Sequence, residues 1–316
     1  MEKLIVSTSP HIRAKATTQR IMLDVLIALA PATVAAVVLF GLRALLIVAV
    51  CVASAVLSEF LFNLAAKKTQ TVKDLSAAVT GLILALCLPA KVEIWQCIVG
   101  SVFAIIVVKC LFGGLGCNFA NPAATSRVFL LVAFAASVGG GSATRFMNTD
   151  LVAGATPLEA IKFGEGVENL PTLTDMLLGN RAGAIGETCI IALVLGGIYL
   201  IARKVIKWHV PVIYIATVFL LSLAIEGDIT VALYEVLGGG LIIAAFFMIT
   251  DYSTTPINTL GKMVFAFGCG IITVLIRFFG SYPEGVSFAI LFMNILSPYI
   301  EKWCTRKPLG KGGKAE

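Results

Sequence analysis

Ten apolar runs follow one another through this 316-residue chain: Ile21–Gly41, Ala44–Ala66, Leu75–Pro89, Ile94–Phe112, Val128–Val138, Ile185–Ile201, Val210–Ile225, Leu233–Thr250, Met263–Phe279 and Val286–Tyr299. A membrane crossing takes about 20 mostly apolar residues, and a hydrated globule has no use for ten such runs. Composition agrees: 59% of the residues are hydrophobic and 13% charged, with mean hydropathy +0.97. A soluble domain carries about twice that charge. Soluble enzymes, nucleic-acid binders and secreted disulfide scaffolds are thereby excluded. The expected fold class is an all-α integral membrane protein of about ten transmembrane helices.

Sidedness follows from the basic residues. Alternating ten spans puts eighteen of the 24 Lys and Arg on the side of both termini. The positive-inside rule makes that side cytoplasmic. Residues 1–20 form a cytoplasmic N-terminal segment, 21–138 a first group of five spans, 185–300 a second, and 301–316 a basic cytoplasmic tail. Between the groups, 139–184 forms one long extracytoplasmic loop, the length at which loops tend to carry function.

Five spans per half invert the second half relative to the first. Gly81-Leu82-Ile83-Leu84-Ala85 resembles Gly240-Leu241-Ile242-Ile243-Ala244, and Leu111-Phe112-Gly113 resembles Phe278-Phe279-Gly280. The third and eighth spans are short and end in breaker or polar residues. Paired short segments in inverted halves point to a site at the repeat interface, although two ordinary short helices would read the same way. Intramembrane charge is costly and usually functional. Asp24, Glu59, Lys109, Arg127, Glu187, Glu235, Lys262 and Arg277 all fall near span ends, so the chain alone does not read as an ion pump. Asp24, Glu59 and Asp251 gather toward the inner leaflet, either as an ion entrance or as hydrated interfacial charges. The eight cysteines form no C-x-x-C, most lie in apolar runs, and no metal site is expected.

Two polar constellations remain. Gly113-Gly114-Leu115-Gly116-Cys117-Asn118-Phe119-Ala120-Asn121-Pro122-Ala123 joins the fourth and fifth spans on the inner side. The amides of Asn118 and Asn121 suit the edge of a planar heterocycle; equally, Asn121-Pro122 starts a helix. In the outer loop, Thr156-Pro157-Leu158-Glu159 reads as a capping box with proline at the first helical position. That places the Thr156 hydroxyl at a helix N-terminus, where backbone N–H groups favour a phosphate.

At these residues the chain resembles the D-type membrane subunits of Rnf-type ion-translocating electron-transport complexes, which are relatives of the B-type membrane subunits of the sodium-pumping NADH:quinone oxidoreductase. The likeness runs nearly end to end. It rests on Ser9-Pro10-His11-Ile12-Arg13, the Gly-Leu-Gly-x-Asn-x-x-Asn-Pro-Ala stretch at 114–123, Gly154-Ala155-Thr156-Pro157-Leu158 and Phe247-Met248-Ile249-Thr250-Asp251. The resemblance implies two inverted five-helix repeats of urea-transporter-like fold. It implies FMN joined through its phosphate to Thr156, within a flavinylation motif that includes Asp150, Gly154 and Ala155; Ala153 stands where that motif often has Ser or Thr. It implies a riboflavin near Asn118 and Asn121. It implies partners: a flavin transferase for maturation, a second flavinylated subunit and membrane iron–sulfur subunits. The expected function is electron relay through bound flavin, coupling ferredoxin and NAD to Na+ or H+ movement, with no catalytic residue and no activity alone. The rival is a flavin-free channel or transporter for a small neutral solute.

Overall fold

The computed structural model describes residues 17–144, 156–164 and 170–305, and what it describes is helical. Helix α1 (Thr18–Phe40) starts on Thr17, whose hydroxyl accepts from the Arg20 N–H at 3.3 Å, and ends at Gly41, whose φ of 78° suits a residue without a Cβ. There follow α2 (Leu42–Ala65), α3 (Ser76–Leu86), α4 (Ile94–Val102), α5 (Pro122–Ala133) and the single turn α6 (Ala135–Val138). The central loop holds α7 (Pro157–Phe163) and α8 (Leu173–Leu178). The second half comprises α9 (Ile190–Ala202), α10 (His209–Glu226), α11 (Ile229–Leu237), α12 (Leu241–Ile243), α13 (Thr259–Phe279) and α14 (Val286–Cys304). Both α4 and α12 continue in π-helical form, over Phe103–Cys110 and Ala244–Met248. Among the described residues the only β pairing is one bridge, Ser142 with Gly183.

The apolar helices differ in length among the described residues. By length and composition, α1, α2, α10 and α13 can cross a membrane. The eighth run begins earlier than its hydropathy suggests, at Ile229, and bends by 62° between α11 and α12. Gly238, Gly239 and Gly240 make that break, and Gly239 takes φ +60°. The third run is only the 11 residues of α3, about 16 Å of helix against a hydrocarbon core of about 30 Å. Helices α5 and α9 are likewise short.

Packing is that of a membrane bundle. Large apolar side chains such as Val34, Leu61, Phe267 and Phe292 point outward, and the interior mixes small residues such as Ala28, Ala36 and Ala55 with large ones such as Leu29, Leu84 and Phe265. Gly196 brings α9 against the Ala28 carbonyl of α1, and Gly81 brings α3 against the Cys51 carbonyl of α2. Close backbone approach through small residues is how helices associate without a hydrophobic drive between them. In the first half α2 packs on α3 and α4; in the second, α10 packs on α11 and α13; α5 and α14 join the halves. The described chain begins at Thr17 and ends at Thr305 on one face of the bundle, here the terminal face; α7 lies on the opposite, loop face.

Candidate functional site

Thr156 is buried, 3% exposed, at the start of α7. The capping box forms as its sequence predicts: Oγ1 of Thr156 accepts from the Glu159 N–H at 3.2 Å, and Glu159 Oε2 accepts from the Thr156 N–H at 2.8 Å. A helix of seven residues does not hold itself together, so α7 depends on what it touches. Leu158 stands over Gly238 and Gly239, where a Cβ would come within 2.8 and 2.9 Å of it. Lys162 Nζ donates to the carbonyls of Arg277, Gly280 and Tyr282 at 2.8, 2.6 and 2.8 Å, capping the end of α13. The Thr156 methyl meets Gly141 beside the Ser142–Gly183 bridge. The threonine thus starts a helix whose Leu158 is seated on the break of the bent span. Asp150, Gly154 and Ala155 lie outside the described residues, as does the segment 9–13.

The hydroxyl itself suits attachment of a phosphoryl group. Among the described residues nothing accepts its proton, while its oxygen accepts from Glu159. An ester at Oγ1 removes only the unused proton and leaves the capping acceptor in place.

On the terminal face, α1, α3, α5 and the bent span line a pocket. Met22, Val79, Ile83, Phe246 and Phe247 form apolar walls; Lys109, Asn118, Asp251 and Ser253 supply polar edges. Asn118 and Asn121 both reach it, yet each amide is already engaged. Asn118 donates to Ala120 O at 3.0 Å and accepts from Gly116 N–H at 3.2 Å. Asn121 accepts from Ala123 and Ala124 N–H as the N-cap of α5, and donates to Met248 O at 3.4 Å. The motif therefore builds the wall and ties the halves together across the bent span. The apolar walls with a polar edge suit a planar, uncharged heterocycle.

The charges near span ends are not hydrated heads. Lys109 donates to both Glu59 oxygens at 3.0 Å and to Ser76 Oγ at 2.6 Å, with Glu59 1% and Lys109 2% exposed. Arg277 pairs with Glu235 at 2.8 Å, Arg127 with Glu284 at 3.3 Å, and Arg203 with Asp24 at 3.3 Å. Asp251 accepts from Ser253 and Thr254. The acids expected to gather at an inner entrance are each satisfied separately. No group of three or more His, Cys, Asp or Glu that could hold a metal occurs among the described residues. Hydropathy alone did not reveal Leu158, Lys162 or Gly141 as supports of Thr156. The Gly238-Gly239-Gly240 run was the available signal for the break.

The profile of the NQR2, RnfD, RnfE family matches residues 5–310. The chain is 44% identical, over 97% of its length and 95% of the relative's, to the D-type subunit of the Na(+)-translocating ferredoxin:NAD(+) oxidoreductase complex of Acetobacterium woodii. It is 40% identical, over 94% and 93%, to the D-type subunit of the proton-translocating ferredoxin:NAD(+) oxidoreductase complex of Clostridium ljungdahlii. It is 35% identical, over 96% and 94%, to the D-type subunit of the ion-translocating oxidoreductase complex of Halorhodospira halophila.

Proposed function

This chain belongs to the NQR2, RnfD, RnfE family, and on that premise we propose that it carries FMN esterified to Thr156 and binds riboflavin in the terminal-face cavity. It is a membrane subunit of a ferredoxin:NAD+ oxidoreductase complex that translocates ions, and it acts within that complex. When bound, flavin exchanges one or two electrons, and the protein supplies position and electrostatics. One observation carries the FMN reading: a buried, capped threonine whose hydroxyl proton has no acceptor among the described residues, on a helix clamped to the bundle by Leu158 and Lys162. Asp150, Gly154 and Ala155 serve recognition by the flavin transferase. Thr156 is an attachment point and moves no proton in turnover. In the cavity, Phe246 and Phe247 supply the apolar contact and Asn118 the polar edge.

Both termini are cytoplasmic and the Thr156 loop faces the opposite phase. Lys67, Lys68, Lys73, Lys204, Lys207 and Lys302 are exposed on the terminal face. Four basic residues of the loop face are spent internally: Arg43 on the Ala90 and Val92 carbonyls, Lys162 on α13, Arg181 on the Glu187 carbonyl, Arg277 on Glu235. Two buried cations, Lys109 and Arg127, lie within helices rather than loops. The two halves are inverted five-helix repeats, which the matching partners of α2 and α10 support. A second flavinylated subunit and membrane iron–sulfur subunits complete the electron path.

The test is a denaturing gel of the chain made with its flavin transferase, viewed under ultraviolet light. A fluorescent band that disappears in Thr156→Ala, with the protein still made, is expected. A dark wild-type band overturns the FMN assignment.

A further inference from the structure

Away from the two places described above, one buried carboxylate, Glu187, has among the described residues both an oxygen to spare and no cation in contact. Hydropathy puts Glu187 at a span end, but α9 begins only at Ile190. The preceding stretch instead turns into the bundle and pairs with the end of α3: Ile185 N–H donates to Leu88 O at 2.9 Å and Gly186 N–H to Leu86 O at 2.8 Å. Since α3 starts at the terminal face and runs only about 16 Å, Glu187 sits well inside the bundle. It is 5% exposed. Its Oε1 accepts from Ala184 N–H at 2.8 Å; its Oε2 has no donor among the described residues.

Glu187 belongs to the lining of a second, smaller cavity, walled by Cys87, Arg127, Gly240, Met248 and Glu284, and its Oε2 lies 3.7 Å from the point that a Cβ on Gly240 would occupy. Of the charged groups there, Arg127 is committed to Glu284 and to the Val138 carbonyl. Arg181, behind the wall, donates to the backbone carbonyl of Glu187 rather than to its carboxylate. Arg277 is held by Glu235. Among the described residues, Glu187 is therefore the one lining carboxylate without a cation in contact. A bare carboxylate is not tolerated at such burial; it takes a proton or a positive ion.

We propose that Glu187 is a monovalent-cation site within this chain, its Oε2 holding a proton or a Na+-sized ion in the cavity between α5, the start of α14 and the bent span, just beyond the end of α3. The role given to it rests on the reading of the chain as part of an ion-translocating complex. The site lies between the two flavin positions: Met248 lines this cavity, while its carbonyl accepts from Asn121 on the wall of the other. On the loop side, Leu158 packs on Gly238 and Gly239, next to the lining residue Gly240. A cation taken up here offsets negative charge arriving on either side.

The experiment treats the whole complex in membranes with a hydrophobic carbodiimide, which modifies protonated buried carboxyls, and follows the Glu187 peptide by mass spectrometry. Labelling of Glu187 is expected, with loss in Glu187→Gln. If the occupant is a proton alone, labelling falls about tenfold per pH unit above the titration of the group and ignores Na+. If Na+ competes, Na+ at constant pH protects the peptide. Infrared difference spectra on changing pH or Na+ supply the second readout, a carboxyl band present in wild type and absent in Glu187→Gln. The absence of both labelling and such a band overturns the proposal, as does a signal that responds to neither pH nor Na+. In-gel FMN fluorescence is scored on the same samples. Fluorescence without a Glu187 signal sinks this proposal alone, and a Glu187 signal without fluorescence sinks the flavin assignment alone.

Discussion

Leu158 Cδ1 lies 2.9 Å from the point that a Cβ on residue 239 would occupy. The helix that starts at Thr156 and the break in the bent span are thus built as one contact, and Gly239, at φ +60°, admits it on two counts. Gly239→Ala should cost about 1–3 kcal/mol through overpacking and backbone strain. Leu158→Ala alone should cost about 2–4 kcal/mol. The double variant should cost less than the sum, because the shorter side chain relieves the clash. Thermal unfolding of the four proteins in detergent checks this; strict additivity would separate the two residues.

At Thr156 the structural and chemical roles of the side chain come apart. Thr156→Ala should lose both the cap, about 1 kcal/mol, and the covalent flavin. Thr156→Ser keeps a hydroxyl in the capping position and should retain the cap. Its flavin content, read by in-gel fluorescence beside its melting temperature, tells whether the transferase needs the methyl that packs on Gly141.

Lys162 holds α7 by three short bonds to the carbonyls at and beyond the end of α13. Lys162→Met should cost about 1–3 kcal/mol and speed proteolysis of the central loop several-fold, while the bundle stays protected. Equal cleavage of wild type and variant would show that Leu158 alone anchors the helix.

Glu59 and Lys109 are buried together on the terminal face. Removing one partner, as in Glu59→Gln or Lys109→Met, should cost about 3–5 kcal/mol by leaving the other charge uncompensated, and Glu59→Leu with Lys109→Met should recover most of it. Because Lys109 also edges the cavity, flavin content beside stability in the double variant reports whether its charge serves the ligand as well as the fold.

An engineered cysteine in the Thr156 loop should react with a membrane-impermeant maleimide from outside intact cells, and one replacing Lys204 should react only after lysis. The reverse pattern would invert the proposed orientation.

Hydropathy made the membrane class legible, and the local code of Thr156-Pro157-Leu158-Glu159 and Asn121-Pro122 gave both helix starts, because capping needs only neighbours within three residues. What escaped were features set by distant partners. Nothing near Glu187 in the chain announces that residues 185–186 pair with the end of α3. Nothing near Glu59 announces Lys109, 50 positions on. Hydropathy does not say how each run sits, because an apolar run has the same hydropathy whether it crosses, stops at mid-depth or bends at Gly238–Gly240.

The clamp at Lys162 has a consequence for traffic between proteins. A flavin esterified to Thr156, as proposed, would be moored to a helix that Lys162 holds against α13, so its point of attachment would not travel toward a partner. Whatever exchanges electrons with it must come alongside, and the pace of that visit belongs to the visitor.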